Sequence, residues 1–354
     1  MAHAPINNDT RTLIRWLFIL NAAILVMIAI GGTTRLTGSG LSMVDWNPIM
    51  GVIPPTSELE WQETFDRYKG FPEYKDLRPN MTLPQFKQIF FWEYLHRVFG
   101  RLIGLIWFIP FIYFLCTNTK ARQHWLSLLI IGLLIAFQGI LGWYMVKSGL
   151  INLPYVSHYR LAAHLSTAFF LYGYIVWWIA RMLPEEERRM FDQAERSFVR
   201  MLTALLFFII LQIIYGAFVA GRDAGLVSNT YPKMMGDWIP SSMFHLKPFW
   251  RNLVENNTFL HYFHRALGTA LLFTTIALWF RAQRFRLSNR QKLGLNGLFT
   301  FMIFQFILGV ATVVSGINLQ LAVAHQVNAC VLLGTIIFSL QALSVPKQVT
   351  SRRS

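Results

Sequence analysis

The sequence predicts an all-α integral membrane protein whose eight transmembrane helices form two pseudo-symmetric four-helix bundles. Three observations carry this. The 354 residues are 54% hydrophobic and only 14% charged, whereas about a quarter of an ordinary soluble domain is charged. Eight apolar stretches each approach the roughly 20 residues needed to cross a bilayer: 13–31, 92–115, 125–146, 162–182, 198–220, 259–280, 293–315 and 321–344. Sequence features of the first four stretches recur in the last four. A membrane β-barrel would instead show short alternating strands.

The first stretch is too long for the apolar core of a signal peptide and lacks a small-residue cleavage site, so it is read as a retained helix. A connection of about sixty residues, 32–91, follows. It contains TGSGLSMVDWNPIMGVIPP, whose glycines and prolines specify turns. Connections this long without regular structure are uncommon unless functional. The second stretch opens with EYLHRVFGR, and the third and fourth carry QGILG and HLSTAFFLYG. A polar linker, 183–197, separates residues 10–182 from 198–345. The sixth to eighth stretches carry HYFHRALGT, QFILG and HQVNACVLLG.

The repeat is seen by aligning these motifs. His96-Arg97-Val98-Phe99-Gly100 matches His264-Arg265-Ala266-Leu267-Gly268 at an offset of 168. Gln138 to Gly142 matches Gln305 to Gly309 at 167, and His164 matches His325 at 161. GGTTRLTGSGLS, from Gly31, loosely echoes GAFVAGRDAGLVS, from Gly216. Each half has an even number of helices, so both insert in one orientation and are related by an axis along the membrane normal.

The net charge of +15 raises the question of nucleic acid, but its distribution answers otherwise. Lys and Arg crowd both termini and the connections near 120, 181–200 and 281–292, while 32–91 holds six Lys/Arg against seven Asp/Glu. The positive-inside rule then puts both termini in the cytoplasm and 32–91, 147–161 and 221–258 outside. The two cysteines, Cys116 and Cys330, lie on different spans and predict neither a disulfide nor a thiolate metal site.

Of nine histidines, His3, His124, His158 and His245 fall in termini or connections and read as solvated surface. His96, His164, His264 and His325 lie within the second, fourth, sixth and eighth spans, each about one turn past the outer edge. Polar groups inside spans are costly and usually functional. A single buried histidine commonly only hydrogen-bonds, but four at one depth, two per half, suggest ligands. Two histidines per half leave a tetrahedral zinc site short. They suit haem iron, which takes two axial ligands, held between facing helices. Small residues near the histidines, including Gly100, Gly142, Gly268 and Gly309, allow close approach of helices and macrocycle, as plain helix packing also would. Arg35, Arg97, Arg222 and Arg265 are candidates for propionate contacts or for interfacial snorkelling.

The halves differ at one position. Glu93 precedes His96 by three residues and shares its helix face, whereas the matching residue in the second half is His261. The carboxylate suits a general base or a stabiliser of developing positive charge, or an interfacial glutamate held by Arg97 or Arg101. Trp46, Trp61, Phe65 and Tyr68 are candidates to cover the first site. One covered site with an acid and one without suggest a substrate haem and a cofactor haem.

With TRLTGSGLSMVDWNPIMGVIPP, EYLHRVFGR and the HLS, HRALG and HQVNA sites in view, the chain resembles the haem A synthases of the CtaA type, in the branch shared by mitochondria and many Gram-negative bacteria, over nearly all of 10–345. The resemblance implies an oxidoreductase of the bacterial inner membrane that supports terminal oxidase assembly. It would oxidise the C8 methyl of haem O to a formyl group by successive hydroxylations, giving haem A. It implies substrate haem iron between His96 and His164, haem b iron between His264 and His325, and catalysis by Glu93. Implied partners are haem O, a haem O synthase and terminal-oxidase assembly factors; a homo-oligomer is compatible with the sequence, and nucleic acid is not expected. Other family members carry a cysteine pair in the first outer connection; this chain has none there, which excludes a thiol step in that segment. The rival readings are a di-haem cytochrome b electron-transfer subunit, which gives Glu93 no role, and a haem carrier, which needs an open axial position.

Overall fold

The computed structural model of the chain describes residues 7–44, 53–149, 155–183 and 193–344. Trp46 and most of the linker, 184–192, lie outside the described residues. Eight long helices carry the fold: α1 Asn8–Leu36, α2 Leu83–Thr117, α3 Trp125–Gly149, α4 His158–Met182, α5 Gln193–Gly221, α6 Asn257–Ala282, α7 Asn289–Val314 and α8 Leu319–Ala342. The shortest has 24 residues, about 36 Å at 1.5 Å per residue, so each exceeds a hydrocarbon core of about 30 Å. No β-strand forms among the described residues.

The starts are set by caps, because the first N–H groups of a helix have no partner within it. Asn7 accepts from the Asp9 N–H, Asn256 from Thr258 and Phe259, and Asn318 from Gln320 and Leu321. Thr82 with Gln85 and Ser288 with Gln291 form reciprocal capping boxes. Pro110 sits inside α2 and has no N–H, so the Ile106 carbonyl loses its helical partner. The Trp16 indole of α1 donates to that carbonyl at 2.9 Å. In lipid such a group must be satisfied from within the protein.

Helices α1, α4, α5 and α8 are the more buried of the eight, and α2, α3, α6 and α7 the less. In the first half the packed neighbours are α1 with α2, α2 with α3, α3 with α4 and α4 with α1. In the second half they are α5 with α6, α6 with α7, α7 with α8 and α8 with α5. Between halves, α8 packs on α4 and α1, and α4 on α5. One apolar core runs through them, including Leu17 and Leu20 of α1, Ile175 of α4, Leu202 of α5 and Ile336 of α8. The α4–α8 seam is reciprocal. Gly173 stands against Ile337 and Leu333 of α8, and Gly334 stands against Tyr172 and Val176 of α4. These two glycines are themselves 161 residues apart, the offset of His164 and His325. Outward faces remain apolar, as at Phe18, Leu133, Phe207, Phe273 and Phe304, which is the composition lipid requires.

At one end of the molecule Asn118 donates to the Asp9 carbonyl at 2.8 Å, Arg290 to the Ala180 carbonyl, and Gln291 to the Ala342 carbonyl at 3.1 Å. The other end carries the long connections. Here the expectation for 32–91 needs correction. Helix α1 continues to Leu36, a helix spans Glu58–Lys69, a π-turn spans Glu73–Leu77, and α2 begins at Leu83 rather than at 92. The signal was present: Ser57 is an N-cap accepting from the Glu60 N–H, and Trp61, Phe65 and Tyr68 recur at helical spacing. They pack with Phe86 and Phe90, on the first turns of α2, as a second apolar core.

Candidate haem-iron sites and the Glu93 cluster

Each of the four span histidines is built the same way. A histidine on one helix lies against a glycine on the preceding helix. A Cβ added to Gly31 would stand 3.1 Å from Cε1 of His96, to Gly142 3.6 Å from His164, to Gly216 3.0 Å from His264, and to Gly309 2.9 Å from His325. The glycines thus hold the imidazoles close to the helix backbone. The sequence alignment of Gly31 with Gly216 and of Gly142 with Gly309 marked these positions, but their pairing with the histidines was not read from it. Nδ1 of all four histidines is buried without a hydrogen-bond partner, which is costly unless another group completes it.

In the second half the His264 and His325 rings face each other with centroids 6.3 Å apart and planes at 77°. Metal–imidazole bonds are about 2.0–2.1 Å long, so two rings facing one ion stand with centroids roughly 6 Å apart. Among the described residues no three His, Cys, Asp or Glu side chains converge as a metal site. The donor set therefore fits an ion that brings its own equatorial ligands, as haem iron does, and does not fit zinc.

Two residues near the second pair had no role assigned from sequence. The Gln212 amide nitrogen stands 3.4 Å from Nε2 of His264 and donates to the His264 carbonyl at 2.8 Å. That of Gln305 stands 3.3 Å from Nε2 of His325, and Gln305 Oε1 accepts from Asn328 at 2.8 Å. The repeat offers a signal for Gln212: Gly100 neighbours Met27 and its counterpart Gly268 neighbours Gln212, so the halves differ there in polarity, whereas Gln305 has Gln138 as its counterpart.

Glu93 is 3% exposed. Its Oε2 accepts from the Ser42 hydroxyl and from the Met43 N–H, both at 2.7 Å. Its Oε1 accepts from Arg97 at 2.6 Å, and Arg97 also donates to the Met43 carbonyl at 2.7 Å. Acid and arginine therefore clamp the turn that follows α1 onto α2. Of the two expectations for this acid, the one in which Arg97 holds it describes its contacts; Arg101 is not among its partners. A carboxylate accepts about four hydrogen bonds; three donors occupy Glu93, leaving one accepting position.

In the second half Arg265 donates to the carbonyls of Thr230, Pro232 and Lys233 at 2.6, 3.1 and 3.3 Å. It does to that connection what Arg97 does to the first, and its Nη1 is buried with no hydrogen-bond partner. His261 takes the place of Glu93, buried, with neither ring nitrogen bonded. Arg35 is engaged by Asp223 at 2.7 Å and Arg222 by Asn257 at 2.7 Å. His158 is not solvated as expected: it is half-buried at the start of α4, with Nε2 3.1 Å from the Val254 carbonyl. His124 also departs from that expectation, lying partly covered against Trp178 with ring centroids 5.0 Å apart.

The model of the COX15-CtaA family, described as cytochrome oxidase assembly protein, matches residues 14–337. The chain belongs to the COX15-CtaA family. Relatives agree across kingdoms. It is 41% identical to the "Heme A synthase" of Nitrosomonas eutropha, covering 93% of each chain. It is 41% identical to that of Flavobacterium psychrophilum, covering 95% of this chain and 99% of the relative. It is 40% identical to human "Heme A synthase COX15", covering 97% of this chain and 85% of the relative. Within this COX15-CtaA chain the Glu93 cluster and the four histidine–glycine pairs are among the polar features built into the spans.

Two measurable consequences arise from this geometry. Alanine at Gly309 or Gly216 forces its histidine to give way by a few tenths of an ångström, whereas alanine at Gly142 meets ordinary contact. Gly309→Ala and Gly216→Ala are expected to destabilise by about 1–3 kcal/mol through overpacking. Gly142→Ala is expected to be close to neutral. Thermal unfolding of the three variants in detergent checks the order, and equal melting points throughout would refute it.

The second concerns Glu73, in the connection above the first site. It is 5% exposed, accepts from the Tyr68 hydroxyl at 3.2 Å and lies 3.7 Å from Arg78. Arg78 in turn donates to the Gly38 carbonyl at 2.9 Å. Burial pushes the Glu73 carboxyl up to about 7, with Arg78 opposing the rise. The folded chain then holds this proton more tightly than the unfolded one, so stability contributed here is present below about pH 4.5 and is lost as pH rises towards 7. Glu73→Gln is expected to remove that slope, on the order of 3 kcal/mol across the window. Unfolding at pH 5 and pH 8 measures it; an identical pH dependence in both proteins would contradict the assignment.

Proposed function

We propose that this chain is a haem A synthase, an oxidoreductase that converts the C8 methyl of haem O to a formyl group by successive hydroxylations. The observation that carries the reading is an asymmetry between the halves: a buried, fully oriented carboxylate one turn from His96, with His261 in its place in the second half. Membership of the COX15-CtaA family and relatives named for haem A synthesis support it.

In this reading residues 10–182 bind the substrate haem between His96 and His164, and 198–345 bind haem b between His264 and His325. The reciprocal contact of Gly173 and Gly334 supports a two-fold relation between these halves. Turning the methyl and one water into the formyl releases four electrons and four protons; bound haem b would supply the one-electron chemistry that passes those electrons on to an external electron acceptor. The chain's own residues do the rest. His96 and His164 would hold the substrate haem's iron, and His264 and His325 that of haem b; water is taken as the source of the formyl oxygen. Glu93, held by Ser42, Met43 and Arg97, presents its remaining accepting position to a water and takes its proton. Arg97 and Arg265 hold the connections over their sites, with Arg265 Nη1 available to a propionate. The connection above α2, with Trp61, Phe65 and Tyr68 packed together, excludes bulk water. The membrane is the bacterial inner membrane with cytoplasmic termini, and a haem O synthase is the partner that supplies so apolar a substrate.

Co-expression with a haem O synthase, followed by extraction and chromatography with mass detection of the non-covalent haem, tests this. Haem A or its hydroxylated precursor is expected beside haem B. Haem B alone, with haem O present in the cells, would establish an electron-transfer cytochrome instead.

A further inference from the structure

The connection between α5 and α6 exposes large aromatic side chains, whereas the first connection exposes only aliphatic ones, Ile53, Leu59 and Leu77, among the described residues. Along 53–82 the aromatic residues turn inward to form their own core. Along 231–251 Trp238 is 67% exposed, Ile239 66%, Phe249 62%, Trp250 58% and Met235 57%. The segment is nonetheless firmly built. Met234 and Asp237 exchange both backbone hydrogen bonds, at 2.8 and 3.1 Å, around Met235 and Gly236, which have φ of 57° and 90°. Asn256 donates to the Ser242 and Met243 carbonyls at 3.0 and 3.1 Å, and Asn252 to the Leu246 carbonyl at 2.8 Å. The apolar groups are therefore held on the surface by a fixed backbone.

The segment also stands beside the helices as well as above them. Arg265, which holds the carbonyls of residues 230, 232 and 233, lies eight residues into α6, about 12 Å along its axis. Thr269, 3.4 Å from the Tyr231 hydroxyl, lies twelve residues in, about 18 Å along. The Tyr231 ring also meets Phe306 of α7, with centroids 5.9 Å apart. Allowing for the reach of both side chains, the backbone near 230–233 lies beside the first turns of α6. It rests on α6, whose outward face at Phe273 and Phe280 is exposed and apolar.

Cations accompany the patch. Lys233 lies 5.9 Å from the Trp238 ring centroid, and Lys247 and Arg251 flank Phe249 and Trp250. Lysine is depleted from the cores of protein–protein interfaces. Tryptophan beside lysine and arginine is instead the pairing found at the membrane–water boundary, where cations meet lipid phosphates.

We propose that residues 231–251 lie in the lipid headgroup interface, with Met235, Trp238 and Ile239, and separately Phe249 and Trp250, seated against the first acyl carbons. The occupant of this surface is the bilayer on the side of this connection. Through Arg265, adjacent to His264, the membrane-seated segment also braces α6.

The test uses the full chain with Cys116→Ser, since Cys330 is buried. Nitroxide labels are placed at Trp238→Cys and Trp250→Cys, and at exposed Glu63→Cys as the aqueous reference. The protein is reconstituted in phosphatidylethanolamine–phosphatidylglycerol vesicles. Collision with oxygen, which partitions into lipid, is compared with collision with a water-soluble nickel chelate. An oxygen-to-nickel ratio several-fold higher at 238 and 250 than at 63 is the expected result. Ratios equal to that at 63 would place the segment in water, and exclusion of both reagents would mean that protein covers it; either overturns the proposal. Because the labels remove tryptophans from the patch, quenching of intact chains by brominated lipids gives a second reading. Trp238→Phe and Trp250→Phe must each lower the quenched share of fluorescence, and an unchanged share counts against the bilayer.

Discussion

Replacing Glu93 by glutamine is expected to cut haem A formation by a factor on the order of 10² to 10⁴, the usual contribution of a positioned general base, while haem O stays in the protein. Glutamine keeps the shape of the side chain but cannot satisfy every partner. Ser42, Met43 and Arg97 all donate to Glu93, and one end of an amide can only donate. One donor is therefore left facing another, at about 1–3 kcal/mol. Glu93→Ala goes further, leaving buried Arg97 without its carboxylate, and is expected to lose about 3–5 kcal/mol. Activity and melting temperature must be read together. A glutamine variant with normal turnover and a lowered melting point would make Glu93 a structural clamp on the turn after α1 and remove it from the chemistry.

The second large effect is expected at the histidine pairs. His264→Ala or His325→Ala should release the iron porphyrin of the second half, reducing the content from roughly two per chain to roughly one, because a single imidazole no longer brackets the iron. Haem content by pyridine haemochrome, beside a reduced-minus-oxidised spectrum, measures this. The same substitution at His96 or His164 should abolish retention of haem O while preserving the spectrum of the second half. Variants that keep full haem content at either pair would show that those rings do not bind iron.

Much of this molecule was legible along the chain because the membrane makes composition positional. A residue within an apolar stretch must lie at a depth set by its distance from the stretch's end, so the four histidines could be ranked together before any packing was known. The offsets of 168, 167 and 161 residues likewise brought Glu93 and His261 into register. The helix Glu58–Lys69 was missed although Ser57 and the spacing of Trp61, Phe65 and Tyr68 signalled it. The glycines and prolines on either side of it obscure a short amphipathic pattern.

The contacts across large sequence separations came from folding alone. Glu93 draws its partners from Ser42 and Met43, about fifty residues earlier. Their approach depends on where the turn after α1 settles, which hydropathy does not encode. Arg35, Arg222, Arg97 and Arg265 look equivalent by charge and depth, yet Asp223 and Asn257 engage the first two, Glu93 the third and three backbone carbonyls the fourth. A guanidinium's partner is decided by which acceptors the packed helices bring within about 3 Å, not by its place in the chain. The sequence by itself determined eight spans and four buried imidazoles, because both follow from the cost of polar groups in hydrocarbon, and an internal repeat, because its motifs recur at near-constant offsets. The tertiary structure decided that each imidazole lies against a glycine and that one carboxylate is oriented beside one pair, because close packing is a property of surfaces meeting in space.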